Sequence, residues 1–123
     1  MRAVRSIDLE WINGNGYQKK ILLADEAMSP RTLLQMMRFK AGEMVPPHYH
    51  RSQTEVFLFL DKGVITIEGE EHEMENGDLL LCEPGEIHEV PAQKEFRIIV
   101  LKIDYEHDDT VWKDTSTVDS TAR

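Results

Sequence analysis

Pro46 and Pro47 stand immediately before a His-Tyr-His triplet, and this short run limits the fold more than any other part of the chain. A proline pair removes two backbone donors and keeps its neighbourhood extended, so His48 and His50 belong to a strand and not to a helix. Side chains two residues apart on a strand share a face, which turns both histidines one way and Tyr49 the other. Glu55 lies five positions after His50 and has the opposite parity. It joins the histidines only if the polar stretch Arg51-Ser52-Gln53-Thr54 turns or bulges. A second fragment, GDLLLCEPGEIH from Gly77 to His88, brings a third imidazole behind a Pro-Gly turn.

The rest of the chain reads as short strands between turn signals. Val4–Leu9 and Tyr17–Ala24 flank Asn13-Gly14-Asn15-Gly16, whose Asn-Gly pairs suit a tight hairpin. Leu33–Lys40 reads as a strand, although its Leu and Met residues also suit helix and period alone does not separate the two. Val56–Leu60 and Val64–Glu68 enclose Asp61-Lys62-Gly63 as a second hairpin, and Leu79–Cys82 reads as a buried strand. Glu86–Val90 follows, and Glu95–Tyr105 is the longest apolar strand. Five glutamates between Glu68 and Glu75, with His72 among them, form a solvated rim. Many strands and little helix define an all-β barrel or sandwich. We read residues 1–105 as one domain and 106–123 as an acidic tail, with Trp112 anchoring its first part against the barrel or a partner subunit.

Composition removes several functions. A formal net charge of -9 over 123 residues argues against nucleic acid and anionic membrane as partners. No apolar run reaches the roughly 18 to 20 residues of a membrane span, and the opening MRAVRSIDLEW lacks the apolar segment of a secretory signal. A single cysteine, Cys82, excludes an intramolecular disulfide and a cysteine-rich zinc site, and a cytoplasmic location is expected.

The two histidine-bearing fragments together resemble the cupin superfamily. Its first motif is matched at Gly42, His48, His50 and Glu55, with Lys62 in the usual place of the closing glycine and Gly63 one position late. Its second motif is matched at Gly77, Gly85 and His88, while Glu83 stands where proline is usual, Pro84 comes one place on, and Ala92 replaces an asparagine. The departures fall on turn residues and one loop polar group, not on the histidines or the glutamate. The resemblance implies a jelly-roll-like double-stranded β-helix barrel, often a homodimer, with a metal ion in the barrel mouth.

The residues support that expectation chemically. His48, His50, Glu55 and His88 are the candidate metal ligands: three neutral imidazoles and one carboxylate give a net charge of about +1 around a divalent ion. Such a set suits iron, nickel, copper or zinc and keeps manganese open. Four ligands on an octahedral ion leave two positions for water, oxygen or a small-molecule substrate. Glu55 is also the candidate catalytic residue, since a carboxylate can leave the metal and serve as a base. Phe57 and Phe59 share its parity and are read as barrel core, Cys82 as an inert core thiol, and Trp11 as a packing residue. Gln53 either reaches toward the metal or caps a turn, and Arg97 either meets an anionic substrate or forms a surface ion pair. His72 and His107 belong to no motif. Two functions follow: a metal-dependent enzyme of dioxygenase or isomerase/lyase type, or a non-catalytic module that binds or senses a metal or small ligand.

Overall fold

The computed structural model describes residues 1–24 and 28–113. Within them the chain forms a 3-10 turn, Ser6–Asp8, and eleven strands: β1 (Ile12–Asn13), β2 (Gln18–Leu23), β3 (Thr32–Phe39), β4 (Met44–His50), β5 (Thr54–Phe59), β6 (Gly63–Ile67), β7 (Glu70–Met74), β8 (Leu79–Cys82), β9 (His88–Pro91), β10 (Phe96–Ile103) and β11 (Thr110–Trp112). A six-stranded sheet runs β1-β2-β3-β10-β5-β8 and a five-stranded sheet runs β11-β4-β9-β6-β7, with every pairing antiparallel. The all-β architecture expected from the turn spacing is the one observed. No helix among the described residues is long and apolar enough to cross a membrane.

Alternation builds the interior. On β10, Phe96, Ile98, Val100 and Lys102 are buried while the residues between them face outward or lie half-buried. Phe57 and Phe59 on β5, Phe39 on β3 and Ile65 on β6 join them in the core, with the Phe96 ring 4.9 Å from Phe39 and stacked at 5.8 Å on Phe59. Burying a side chain of this size contributes about 2–3 kcal/mol, so the aromatic cluster is a main source of cohesion. Leu33–Lys40, open to helix on composition, is a strand because both of its edges are paired, to β2 and to β10.

Three local expectations need correction. Val4–Leu9 is not a strand; it contains the 3-10 turn and has no sheet partner, and only Ile12 and Asn13 pair across the Asn-Gly turn with Lys19 and Gln18. β5 and β6 do not form a hairpin about Asp61-Lys62-Gly63 but lie in different sheets. The Asp61 carboxylate instead accepts from the backbone N, Nε and Nη2 of Arg97, pinning the crossover to the start of β10. Arg97 is thus occupied in an exposed ion pair. Leu79–Cys82 forms a strand but not a buried one: β8 is a sheet edge, and Leu79 is 54% exposed.

The chain also runs past Tyr105 into β11, which pairs with β4 at Thr110↔His50, Val111↔Tyr49 and Trp112↔His48. The tail from residue 114 onward lies outside the described residues.

Gly63, the displaced glycine of the first motif, opens β6 where a Cβ would be driven into the Phe96 ring. Gly63→Ala is therefore expected to destabilise the fold by about 1–3 kcal/mol through overpacking, read as a lower midpoint in thermal or urea unfolding.

Candidate metal centre

A bulge prepares the histidine strand. β4 pairs with β9 at Val45↔Val90 and His48↔His88, with one extra residue on β4 between those pairs. The extra residue falls at Pro46-Pro47, which lack the N–H groups an unbroken ladder needs. After the bulge His48 and His50 both turn inward and are buried, while Tyr49 is half-buried. Across the ladder His88 is the direct partner of His48, so the two motifs meet as neighbouring strands. Gly85 N–H donates to the His50 carbonyl at 2.8 Å and holds the Pro-Gly turn against the histidine strand.

The parity change before Glu55 has a cause the motif does not contain. Asp109 accepts from Ser52 N–H at 3.0 Å, Gln53 N–H at 3.0 Å and Ser52 Oγ at 3.0 Å. Arg51 N–H donates to the Asp109 carbonyl at 3.1 Å. One carboxylate thereby fixes the turn from His50 into β5, and Glu55 emerges buried against the imidazoles.

One ring nitrogen from each of His48, His50 and His88 lies within 4.8 Å of the other two. Glu55 Oε1 is 2.9 Å from His50 Nε2 and 3.2 Å from His88 Nε2. Each Nδ1 is engaged elsewhere: His48 Nδ1–H donates to the Pro46 carbonyl at 2.8 Å, and His88 Nδ1–H to the Glu86 carbonyl at 3.2 Å. His50 Nδ1 meets Thr110 Oγ1 at 3.1 Å. A carbonyl only accepts, so it places a proton on Nδ1 and turns Nε2 toward the cluster, which is how metal-binding imidazoles are commonly held. Glu55 Oε1 is buried and, despite its short distances, meets neither imidazole in hydrogen-bond geometry. These donors and that orphaned oxygen fit a divalent transition cation.

Electrostatics divides the imidazoles. Burial and the neighbouring His88 and His50 hold His48 well below its ordinary value, leaving it neutral and ready to donate a lone pair. Burial opposes a charge on His88, but Cys82 and Glu55 outweigh it and push His88 up to about 10. Burial likewise opposes ionisation of Glu55, and the charge and close approach of His50, the approach of His88 and the charge of Lys102 hold its carboxyl well below the usual range.

The surroundings add residues that the motifs do not name. Trp112 packs on His48 with ring centroids 4.7 Å apart, and Cys82 Sγ lies 3.4 Å from His88 Nδ1, so the thiol touches a candidate ligand as well as the core. Gln53 is held at its backbone N–H by Asp109, and its buried Nε2 has no hydrogen-bond partner. Asp109 and Thr110 sit in a stretch of tail composition that carries no motif signal. Lys102 could have been found: it is the one charged residue at an inward position of EFRIIVLKIDY. His72, on the rim strand β7, and His107, exposed, lie outside the cluster.

The fold is a small antiparallel β-barrel that brings three buried imidazoles together in a cluster able to hold a metal ion. The chain belongs to the cupin family, whose Cupin domain model matches residues 35–102. A Thermotoga maritima structure described as a predicted oxalate decarboxylase is 26% identical with a TM-score of 0.73, covering 83% of this chain and 98% of its own. The polyketide cyclase RemF of Streptomyces resistomycificus is 17% identical with a TM-score of 0.79, covering 96% and 89%. The Streptomyces nucleoside dehydratase Pac13 is 12% identical with a TM-score of 0.71, covering 91% and 90%. The last two likenesses show the fold alone. Among curated proteins none matches the chain.

A cation must displace the His88 proton, so its binding releases protons and tightens as pH rises. Zinc titrations between about pH 6 and 8 are expected to show rising affinity and a binding enthalpy that depends on the buffer's own protonation heat. Thr110→Val leaves His50 Nδ1 without its hydroxyl and is expected to weaken zinc binding by about 10–100-fold, measured by competition with a chromophoric chelator.

Proposed function

We propose that this chain is a small metal-dependent enzyme acting on a small oxygen-rich molecule, with lyase- or isomerase-type chemistry. His48, His50 and His88 would hold one divalent transition cation (iron, manganese, nickel, zinc or copper), with Glu55 as fourth ligand or as the nearby base. The observation that carries this reading is the engagement of all three Nδ1 atoms, which leaves each Nε2 available to a cation, in a cluster where a ring nitrogen of each histidine lies within 4.8 Å of the others and Glu55 approaches the Nε2 of His50 and His88.

When bound, the cation would supply Lewis-acid polarisation of a substrate carbonyl or hydroxyl oxygen. The chain supplies the rest. The cavity at the cluster, about 40 Å³, is walled by Met37, Phe57, Ile65 and Trp112 and admits only the reactive end of a ligand. Such walls limit the water that competes for a polarised oxygen and strengthen the local field. Glu55 stays ionised and can take a proton from a carbon or hydroxyl beside the polarised group. The description of the 26% identical Thermotoga maritima structure as a predicted oxalate decarboxylase supports lyase-type chemistry. A non-catalytic binding or sensing module would use the same cluster and show ligand affinity without turnover.

The outer face of the six-stranded sheet supports the homodimer. Val56 and Leu58 on β5, Leu79 and Leu81 on β8, and Ile99 and Leu101 on β10 share that face in register, where one-sided antiparallel sheets ordinarily carry polar groups. β8 is also a free edge. A second copy would cover both, and a cytoplasmic location belongs to the same reading.

Natively purified protein is expected to hold close to one transition metal per chain by elemental analysis, and a His48→Ala, His88→Ala double variant that kept its full metal would sink the assignment. Metal-dependent conversion of hydroxy or oxo acids, sugars or phenols, without oxygen uptake, is the expected activity. Substrate-dependent oxygen consumption would move the reading to a dioxygenase, and binding without turnover to the module. Leu79→Asp combined with Leu81→Lys is expected to yield monomers in sedimentation analysis while leaving the metal content unchanged.

A further inference from the structure

β11 is a short strand with support on one side. It has three residues, forms an edge of the five-stranded sheet and, among the described residues, pairs with β4 alone. The loop that leads to it leaves β10 through a left-handed Asp104 (φ 60°) and approaches the strand through a left-handed Asp108 (φ 64°). A non-glycine residue adopts that conformation at a cost. Edge segments with few ladder bonds open locally before the rest of a sheet does. Yet Thr110 and Trp112 line the imidazole cavity, so part of the wall of the site is built from an easily opened element.

The contacts that hold β11 down are the ones that orient the site. Asp109 is 5% exposed; its carboxylate accepts from Ser52 N–H, Ser52 Oγ and Gln53 N–H, and its backbone carbonyl accepts from Arg51 N–H. All of those donors belong to the turn between His50 and Glu55. Thr110 Oγ1 meets His50 Nδ1, and Trp112 packs on His48. Just past the strand, Lys113 N–H donates to the Pro47 carbonyl at 3.0 Å. When β11 lifts away, His50 loses the hydroxyl at Nδ1 and His48 loses the indole. Two amides of the turn also lose a charged acceptor, whose hydrogen bonds are roughly twice as strong as neutral ones.

We propose that β11 is a strap whose docking is coupled to cation occupancy of the imidazole cluster, with Asp109 as the positioning residue that latches it. A cation takes imidazole lone pairs in fixed directions, and the docked strap is what holds His50 and the turn to Glu55 in place for it. The cation therefore binds the docked state more tightly than the open one, and that difference in affinity is the coupling. Linkage makes the effect reciprocal. Occupancy closes the strap, and weakening the latch lowers cation affinity in proportion to the docked fraction that is lost. Opening β11 also takes Thr110 and Trp112 out of the cavity wall and gives the cation a way in and out. The inference rests on the metal-dependent reading above and deepens it, by assigning control of the same site to residues that carry no motif.

The test is amide hydrogen exchange of the full chain with and without zinc(II), together with zinc affinity by chelator competition. The reporters are the amides of Arg51, Ser52, Gln53 and Lys113, each bonded between the strap segment and the β4–β5 region. The control is β7, the opposite edge of the same sheet. Zinc is expected to slow the reporters at least about tenfold and to leave β7 unchanged. Asp109→Ala is expected to speed the reporters in zinc-free protein and to weaken zinc binding about 10–100-fold, with β7 unchanged. Asp109→Asn, which keeps one acceptor oxygen, is expected to recover part of both. A purely structural aspartate would speed exchange throughout the barrel and leave the zinc affinity of the folded protein as it was. If Asp109→Ala fails to fold, Asp109→Asn and the wild-type comparison with and without zinc carry the test. Zinc that binds without slowing the reporters would overturn the coupling and leave the metal reading intact. So would Asp109 variants whose reporters speed up while zinc affinity stays at the wild-type value. No zinc uptake by wild type would instead overturn the metal reading, and the coupling with it.

Discussion

An ionised carboxylate inside a β-barrel is the constraint on which the other features of this molecule turn. Glu55 sits on a central strand between β8 and β10, out of reach of bulk solvent. A charge in that position is tolerated only where opposite charge and polar partners surround it. The barrel supplies them from three directions: His50 along the chain, His88 from the neighbouring sheet, and Lys102 from across the ladder. Without those groups the interior positions around Glu55 would have to be apolar, and no site would exist.

The same constraint explains why the far end of the chain reaches back to β4. An imidazole presents Nε2 in a fixed direction only if Nδ1 is held, and His50 has no backbone carbonyl in that role. Thr110 provides the partner, and the preceding Asp109 secures the turn that lets Glu55 face His50. β11 is only three residues long, yet it also lays Trp112 on His48. A short strand of little cohesive value by area thus sets the geometry of two imidazoles and one carboxylate.

Two polar residues at core positions make the interior less stable than an all-apolar barrel would be. Gln35 and Lys102 sit where alternation calls for Leu or Ile, on neighbouring strands of one sheet, and Lys102 lines the cavity of the imidazoles. Local rules are broken most often at functional sites, where binding chemistry outweighs fold stability. The outer face of the same sheet breaks the opposite rule, carrying apolar groups where polar ones are usual.

Pro46-Pro47, the His-x-His spacing and the turn residues determine a β-barrel with His48, His50 and His88 on inward faces, because strand parity and proline geometry are local properties. The place of Glu55 as a plausible partner was also legible, since its spacing required a turn and the intervening residues were polar. Tertiary structure alone decided how that turn is fixed, that β5 and β6 separate into different sheets, and that Leu79 faces outward on an edge. It also decided that residues beyond Tyr105 complete the site. Each of these depends on contacts between residues tens of positions apart, such as Asp109 with Ser52 and Arg97 with Asp61, and spacing within one segment carries no record of them. Lys102 stands between the two cases. Its inward parity was written in the strand, but only the pairing with β5 gave it Glu55 as a neighbour and the imidazole-lined cavity as its surroundings.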